Sequence, residues 1–210
     1  MAENSNTKQE ILNIALNLFS TQGYEATSVS QIAEAAGIRK ASLYSHFASK
    51  QEILGELMKI VLEQYEQHSL FANADWTNPD FTKDKQNLTP EDAVKMITGQ
   101  IRYILHDPQI SRARKMLTIE QFRNRQMAEL QTKQNYTDVM RFFSGMTKFL
   151  ISSGKLQCGD AELMAAELCL PVSVWINLCD REPQREAEVM TLVERHIRRF
   201  FDVYGNTLSC

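Results

Sequence analysis

The chain has 210 residues, of which 43% are hydrophobic and 23% charged, and its net charge is −3. This is the profile of an ordinary soluble protein of one or two domains. The polar start of the sequence and the lack of any apolar run of about 18 residues argue against a secreted or membrane-spanning protein. Four cysteines without metal-ligand spacing (Cys158, Cys169, Cys179, Cys210) favour free thiols in the cytoplasm, with no metal site.

The first part of the chain predicts short helices with well-marked starts. Strand patterns are scarce, so an all-α fold is expected. Three capping boxes, in which Ser or Thr precedes Glu or Gln by three residues, begin at Thr7, Ser28 and Ser49. Glycines at 23 and 37 favour helix ends, since a glycine readily adopts the left-handed conformation there. The predicted helices span residues 7–22, 29–36, 40–47 and 49–72.

Two of these helices predict a helix-turn-helix. The segments 29–36 and 40–47 each hold about two turns and are joined by a short connection containing Gly37. The small side chains of Ala33 and Ala36 allow the two helices to approach closely. The longer helix after Ser49 would connect this unit to the rest of the chain.

The remaining chain predicts further helices. Residues 73–89 are polar and contain proline, so they indicate a loop, which Trp76 and Phe81 would hold against the protein. Thr89-Pro90 and Asp160 predict helix starts, and Gly154 predicts a helix end. The helical segments are expected at about 90–106, 109–134, 136–152, 160–179 and 183–204.

The last two helices predict a dimer interface. Residues 168–178, LCLPVSVWINL, are apolar on all sides, with Pro171 expected to kink the helix, and the final helix has a broad apolar stripe. Paired with a second copy they would form a four-helix bundle, whereas the alternative is a core within one chain. The predicted interface residues are Leu168, Val172, Trp175, Val189, Val193, Ile197 and Phe200.

The net charge near the helix-turn-helix differs in sign from the net charge of the whole chain. Residues 27–50 contain three basic groups and one acidic group, so any attraction for nucleic acid is local. Arg39, Lys40, Ser42 and Tyr44 occupy the start and outer face of the third helix, where a recognition helix presents side chains to the major groove. Alternatively, with no nucleic-acid partner, Arg39 and Lys40 could be a pair of solvated charges and Tyr44 a half-buried packing residue.

Residues at two helix starts suggest phosphate contacts. Lys50 lies in the first turn of a helix, where a cation opposes the helix dipole at a cost of about 0.3–1 kcal/mol unless it serves an anion. Ser28 could donate to a phosphate, although Ser28 and Ser49 could equally be helix caps only. His46 could interact with the end of the third helix.

The segment TSVSQIAEAAGIRKASLYSHFASKQEIL, residues 27–54, resembles the DNA-binding segment of TetR-family transcriptional regulators. The resemblance spans residues 7 to about 55. Arg39 departs from it, because the family usually has Ser or Thr there as a helix cap. The matching positions are Thr27, Ile32, Ala33, Ala36, Gly37, Leu43, Tyr44, His46, Phe47, Ser49, Lys50 and Leu54.

The resemblance implies a helix-turn-helix DNA-binding domain at residues 1–50 and a helical ligand-binding and dimerisation domain at 51–210. It implies a cytoplasmic homodimeric repressor that binds a palindromic double-stranded operator and responds to a small molecule, with no cofactor. It implies phosphate contacts from Tyr44, His46 and Lys50 and base contacts from the start of the third helix. Taken with the residues discussed above, the predicted DNA contacts are Thr27, Ser28, Arg39, Lys40, Ser42, Tyr44, His46 and Lys50.

Aromatic and methionine residues of the second domain could line an effector pocket, although each could be plain core. The candidates are Tyr103, Phe122, Phe143, Met146 and Trp175. Two other classes of protein compete with a regulator. An enzyme is not expected, since none of the common catalytic or nucleotide-binding motifs is present, and no catalytic residue is predicted. A helical ligand-binding or structural dimer that does not bind DNA is the main alternative.

Overall fold

The structure is a computed structural model that describes the backbone of residues 2–206 and the side chains of residues 6–206. Within these residues it is built from helices without β-strands, so the predicted all-α class is confirmed. The α-helices are α1 Ala2–Gln22, α2 Val29–Ala35, α3 Lys40–Tyr44, α4 Lys50–His68, α5 Leu70–Asn73, α6 Pro79–Thr82, α7 Pro90–His106, α8 Pro108–Glu120, α9 Arg125–Thr132, α10 Asp138–Ser152, α11 Ala161–Arg181 and α12 Glu186–Tyr204.

Most predicted helix boundaries are confirmed. Gly23, Gly37 and Gly154 adopt φ angles of 87°, 64° and 73°, so each supplies the left-handed residue expected at a helix end. The Ser28 hydroxyl accepts from Gln31 N while the Gln31 side chain accepts from Ser28 N, which is the predicted capping box. Asp160 caps α11 through the amides of Glu162 and Leu163.

Several boundaries were predicted wrongly, and the predicted helical segment 109–134 is divided into α8 and α9. Helix α1 begins at Ala2, so Thr7 lies inside it, because no proline or glycine interrupts the preceding residues. Helix α3 ends at Tyr44 and α4 at His68, both earlier than expected. The predicted loop at 73–89 contains α6 and a 3₁₀ turn at Lys83–Lys85. Its predicted anchors are confirmed, since Trp76 is buried and its ring centroid lies 5.4 Å from that of Phe81.

The first compact unit comprises the chain through His68 together with Pro108–Gln131. Helices α4 and α8 belong to it because they share one hydrophobic core with the helix-turn-helix. That core contains Phe19, Leu43 and Phe47 with Leu57 of α4 and Leu117 of α8. The predicted division at residue 50 therefore does not coincide with the compact units. The assignment of DNA binding to 1–50 and of ligand binding to 51–210 stays a prediction.

The second compact unit comprises Ser69–Asp107 and the chain from Thr132 onward. Its core is formed by α7, α10, α11 and α12, with α10 packing along α11 and α7 against α12. Trp76 contributes an aromatic cluster, since its ring lies 5.5 Å from Phe142 and 5.7 Å from Phe149 between centroids. A π-helical turn at Lys133–Thr137 leads into α10.

Helix α11 is continuous through Pro171. By length and composition it could cross a membrane, with a mean hydropathy of 1.4 over an 18-residue window of which 33% is buried in the protein. No such span was expected from the sequence. This is weak evidence, because core helices of soluble proteins can meet the same two criteria.

The described cysteines are free thiols, as predicted. Cys158 is exposed, while Cys169 and Cys179 are buried. Burial raises the pKa of the Cys169 thiol to about 11, which disfavours its reactive thiolate form. Cys210 lies outside the described residues.

Substituting Gly145 tests the packing of the aromatic cluster. A β-carbon at Gly145 would lie 2.8 Å from Trp76 Cδ1, so Gly145→Ala should overpack the core and lower the free energy of unfolding by about 1–3 kcal/mol. Gly99→Ala in α7 is the control, because no heavy atom surrounds its β-carbon position and alanine favours helices by about 0.5–1 kcal/mol. Tryptophan fluorescence during urea unfolding measures the free energy of unfolding of each variant, since Trp76 and Trp175 both lie in this unit. Equal midpoints for the two variants would contradict the packing.

Candidate nucleic-acid interface

The helix-turn-helix is held by burial of its inner face. Ile32 and Ala33 of α2, Leu43 of α3 and the following Phe47 are each at most 2% exposed. The connection between the helices is closed by the Ile38 amide, which donates to Ala33 O at 3.0 Å. With these side chains inward, the remaining residues of α3 point outward.

The outer face of α3 is a short cationic and aromatic edge. Arg39, Lys40 and Ser42 are exposed, and the Tyr44 side chain is 46% exposed. Among the described residues, the side chains of Arg39 and Lys40 make no hydrogen bond or ion pair. Arg39 occupies the N-cap position without making a side-chain cap, so the guanidinium is available to an external anion. These four predicted residues are therefore exposed together at the start and along the length of one short helix.

Three other predicted DNA contacts differ in how far they are exposed. Ser28 is exposed at the N-terminus of α2, although its hydroxyl already accepts from Gln31 N at 3.2 Å. Thr27 is only 1% exposed, and its hydroxyl donates to Gly23 O at 2.8 Å. Its predicted DNA contact remains a prediction, and its position favours an indirect role. His46 is half-buried just beyond the end of α3.

Lys50 points toward the protein. Its ammonium donates to Tyr24 O at 2.8 Å and to Thr27 O at 2.9 Å, and it lies 4.1 Å from the centroid of the Tyr24 ring. Two of its three N–H donors are thereby used within the chain. These two bonds explain why α4 tolerates a cation in its first turn, where the cation opposes the helix dipole. Each is worth about 1.5 kcal/mol at half-burial, more than the dipole penalty of about 0.3–1 kcal/mol.

Residues 23–28, here called the Tyr24 turn, connect α1 to α2. The Tyr24 amide donates to Oε1 of Glu120, which lies at the end of α8 and is 2% exposed. Burial raises the pKa of the Tyr24 phenol, and the carboxylates of Glu25 and Glu120 raise it further. Sequence reasoning missed Glu120, because 96 positions separate the two residues and no local pattern links them.

The predicted effector-pocket residues differ in their burial and in the compact unit to which they belong. Phe122 is 90% exposed and belongs to the first compact unit, whereas the other four belong to the second. Phe143 and Met146 are buried in the core of the second unit, and Tyr103 is half-buried in α7. Trp175 is also half-buried and packs edge-on against His196, with 5.4 Å between ring centroids. The assignment of these five residues to an effector pocket stays a prediction.

The predicted interface residues are mostly buried within the chain itself. All of them except the half-buried Trp175 are at most 7% exposed, which agrees with the alternative of an intrachain core. The apolar residues that α11 leaves exposed are Leu163, Leu170 and Val174, the last of them 64% exposed. Their spacing places them on one face, here called the outer stripe.

Among the described residues, no cluster of three or more potential metal ligands occurs.

Comparison with known proteins places the N-terminal segment in a family. Residues 11–57 match the family model of bacterial regulatory proteins, tetR family. The chain is 41% identical over 58 residues to the transcriptional regulator AcrR of Shigella flexneri, which covers 28% of this chain and 27% of AcrR. It is 44% identical over 59 residues to the repressor KstR2 of Rhodococcus jostii, covering 28% and 29% of the two chains. The matches thus span less than a third of these relatives' length.

Solved structures resemble the chain over nearly its full length. SmeT, the repressor of a Stenotrophomonas maltophilia multidrug efflux pump, covers 96% of this chain with 91% of its own, at 17% identity and a TM-score of 0.62. Its complex with triclosan covers 97% and 93% at 21% identity and a TM-score of 0.59. NalD, a repressor of a Pseudomonas aeruginosa efflux pump, covers 99% and 100% at 20% identity and a TM-score of 0.57. At these identities the likeness concerns the fold.

The family match and the fold agree with the segment on which the sequence resemblance was based. Ile32, Ala33, Leu43 and Phe47 of that segment form the buried side of the helix-turn-helix. Residues 11–57 therefore match the TetR-family N-terminal domain, and the resemblance inferred from the sequence is confirmed for this segment.

Proposed function

We propose that the chain is a sequence-specific DNA-binding transcriptional repressor, and not an enzyme. The observation that carries this proposal is the outer edge of α3, where Arg39 and Lys40 are exposed and without partners in the described part of the chain. Next to them Tyr44 exposes nearly half of its side chain. The relatives' names as transcriptional regulators and repressors support the same function.

The direct contacts would come from the exposed residues. In a helix-turn-helix, the N-terminal residues of the second helix meet base edges in the major groove. Arg39 and Lys40 occupy that position, and an arginine or lysine there can donate to guanine or to a neighbouring phosphate. Contacts to the phosphate backbone would come from Ser28, Ser42, Tyr44 and His46. The Tyr44 ring could instead contact a thymine methyl group. Thr27 and Lys50 would act indirectly, by holding the Tyr24 turn.

The modest charge of the chain fits specific binding better than general affinity for nucleic acid. The net charge is −3, and residues 27–50 hold three basic groups against one acidic group. Few phosphate contacts are therefore available, and binding to random sequence should be weak and sensitive to salt. The main alternative, a helical dimer without DNA binding, would leave the exposed cationic edge of α3 without a role.

The functional form would be a homodimer in the cytoplasm that binds a palindromic operator. The outer stripe offers three exposed apolar side chains on α11, and covering them with the same stripe of a second copy would remove them from water. A two-fold dimer presents two recognition helices, so its operator would repeat with the same symmetry. This revises the predicted interface, whose residues already pack inside each chain.

The second unit would bind a small effector that releases the DNA. Its core places Phe71, Phe142 and Phe143 in mutual aromatic contact next to Trp76. Two buried polar atoms there, Trp76 Nε1 and Thr147 Oγ1, have no hydrogen-bond partner within the described chain. An apolar aromatic molecule with a hydrogen-bond acceptor could satisfy Trp76, because an unpaired buried donor is costly. Triclosan is bound by SmeT, which has a similar fold.

Matched methionine substitutions separate direct from indirect DNA contacts. Lys40→Met should weaken binding to a duplex selected from a random library, and should reduce the slope of log affinity against log salt by about 1. Lys50→Met should leave that slope unchanged and lower the free energy of unfolding by about 1.5–3 kcal/mol, because two bonds to carbonyls are lost. Fluorescence anisotropy and chemical unfolding give the two readouts. Failure of the unaltered chain to select any duplex would reject the proposed function.

A charge in the outer stripe should prevent dimer formation. Val174→Glu places a carboxylate where the proposal buries an apolar side chain, so analytical ultracentrifugation should show monomers at concentrations where the unaltered chain is dimeric. Gln86→Glu is the control, since it adds the same charge at an exposed position of the same unit. An unaltered chain that remains monomeric, or that partitions into lipid vesicles through α11, would contradict the dimer.

Effector binding should be visible at Trp76. The Trp175→Phe variant retains Trp76 as its one tryptophan. A compound that raises the melting temperature in a thermal-shift screen of apolar aromatic molecules should also change Trp76 fluorescence and lower the affinity for the selected duplex. Stabilising compounds that leave the Trp76 emission unchanged would indicate a site elsewhere.

A further inference from the structure

The Tyr24 turn is held from two sides by helices distant in sequence. On one side, Oε1 of Glu120 in α8 accepts from the Tyr24 amide at 2.8 Å. On the other side, Lys50 of α4 donates to the carbonyls of Tyr24 and Thr27. The Tyr24 hydroxyl also donates to Gln51 Oε1 at 3.0 Å. The amide, carbonyl, ring and hydroxyl of one residue are thus all engaged.

The approach of α8 to this turn is unusually close. Gly23 has a φ of +87°, and a β-carbon there would lie 3.0 Å from Glu120 Oε1 and 3.3 Å from Ile119 Cγ2. Any side chain at position 23 would therefore both strain the backbone and collide with the end of α8. The glycine lets the carboxyl group reach the backbone of the next residue.

Stability alone does not explain a glutamate at position 120, because burying its carboxyl group costs desolvation free energy. Its side chain is 2% exposed, and the Tyr24 amide is its single side-chain hydrogen-bond partner among the described residues. A buried carboxyl group with one donor retains much of its desolvation cost, and an apolar residue of similar size would avoid that cost. What the carboxyl group supplies, and an apolar residue cannot, is a fixed position for the Tyr24 amide.

The turn continues directly into the proposed DNA-contacting residues. Thr27 Oγ1 donates to Gly23 O at 2.8 Å, which closes the turn, and Ser28 then caps α2. A shift of the Tyr24 backbone therefore moves the N-terminus of α2, and α3 with it through their shared core. Correct placement matters, because base contacts depend on the angle at which α3 enters the groove.

We infer that Glu120 is a positioning residue for DNA binding, which from α8 fixes the Tyr24 turn and thereby the placement of α2 and α3. This inference rests on the proposed function. It extends the DNA-binding module beyond its contiguous N-terminal segment to include the end of α8, about 70 residues after the last predicted DNA contact.

Three substitutions of Glu120 in the full chain test this role. Glu120→Ala and Glu120→Met both remove the acceptor, and methionine keeps nearly the same volume, so it avoids a cavity. Both should weaken binding to the selected duplex about tenfold or more, which corresponds to the loss of one charge-assisted hydrogen bond. Glu120→Gln keeps an acceptor oxygen and should restore affinity to within about threefold.

Two readouts distinguish positioning from a purely structural role. The salt slope of binding should stay at the unaltered value in all three variants, since no phosphate contact is removed. Hydrogen exchange at the Tyr24 amide should accelerate in Glu120→Ala and Glu120→Met, while the amide of Phe47 in the helix-turn-helix core stays protected. Glu129→Gln is the charge control, because Glu129 pairs with Arg125 on the surface of the same unit. It should leave both readouts unchanged.

The outcomes separate this inference from the proposed function. Unchanged duplex affinity in Glu120→Met, with a folded core and faster Tyr24 exchange, would overturn the positioning role and leave the regulator intact. A reduced salt slope in Glu120→Met would also overturn it. Absence of duplex binding by the unaltered chain would overturn both proposals together.

Discussion

Burial of one side of two very short helices is the constraint on which the exposed cationic edge of α3 depends. Helices α2 and α3 have seven and five residues, well below the roughly 12–15 at which an isolated helix becomes even marginally stable. They persist because Ile32, Leu43 and Phe47 are buried in a core to which α1, α4 and α8 contribute. Since these side chains point inward, Lys40 and Tyr44 must point outward.

The Tyr24 turn shows how polar contacts complete what the core begins. Hydrophobic packing places the helices but tolerates small shifts, whereas hydrogen bonds to particular backbone atoms are directional. Glu120 and Lys50 bind the amide and carbonyl of the same residue from opposite sides. Glu120, which no local sequence pattern distinguishes, and Lys50, which the sequence suggested as a phosphate contact, thus both hold the Tyr24 turn that leads into α2.

The second unit illustrates the difference between an apolar helix and an interface. Helix α11 is apolar nearly all round over residues 168–178, which pattern analysis alone could assign to a core or to a partner. In the structure, one face of α11 is buried and another is exposed. Leu168 and Val172 close the core of their own chain, and Leu170 and Val174 remain exposed. The exposed apolar face of α11 therefore differs from the face that carries the predicted interface residues.

Local chemistry was enough to predict the helical class, the helix-turn-helix, its glycine helix ends and the capping box at Ser28. These features depend on residues within about four positions of one another, and the resemblance to the family depends on the same contiguous segment. The inward direction of Lys50, the burial of Thr27 and the contact of Glu120 with Tyr24 were decided by tertiary structure. Each of them depends on which distant helix occupies the neighbouring space, and that is set by the packing of the whole core and not by any local pattern.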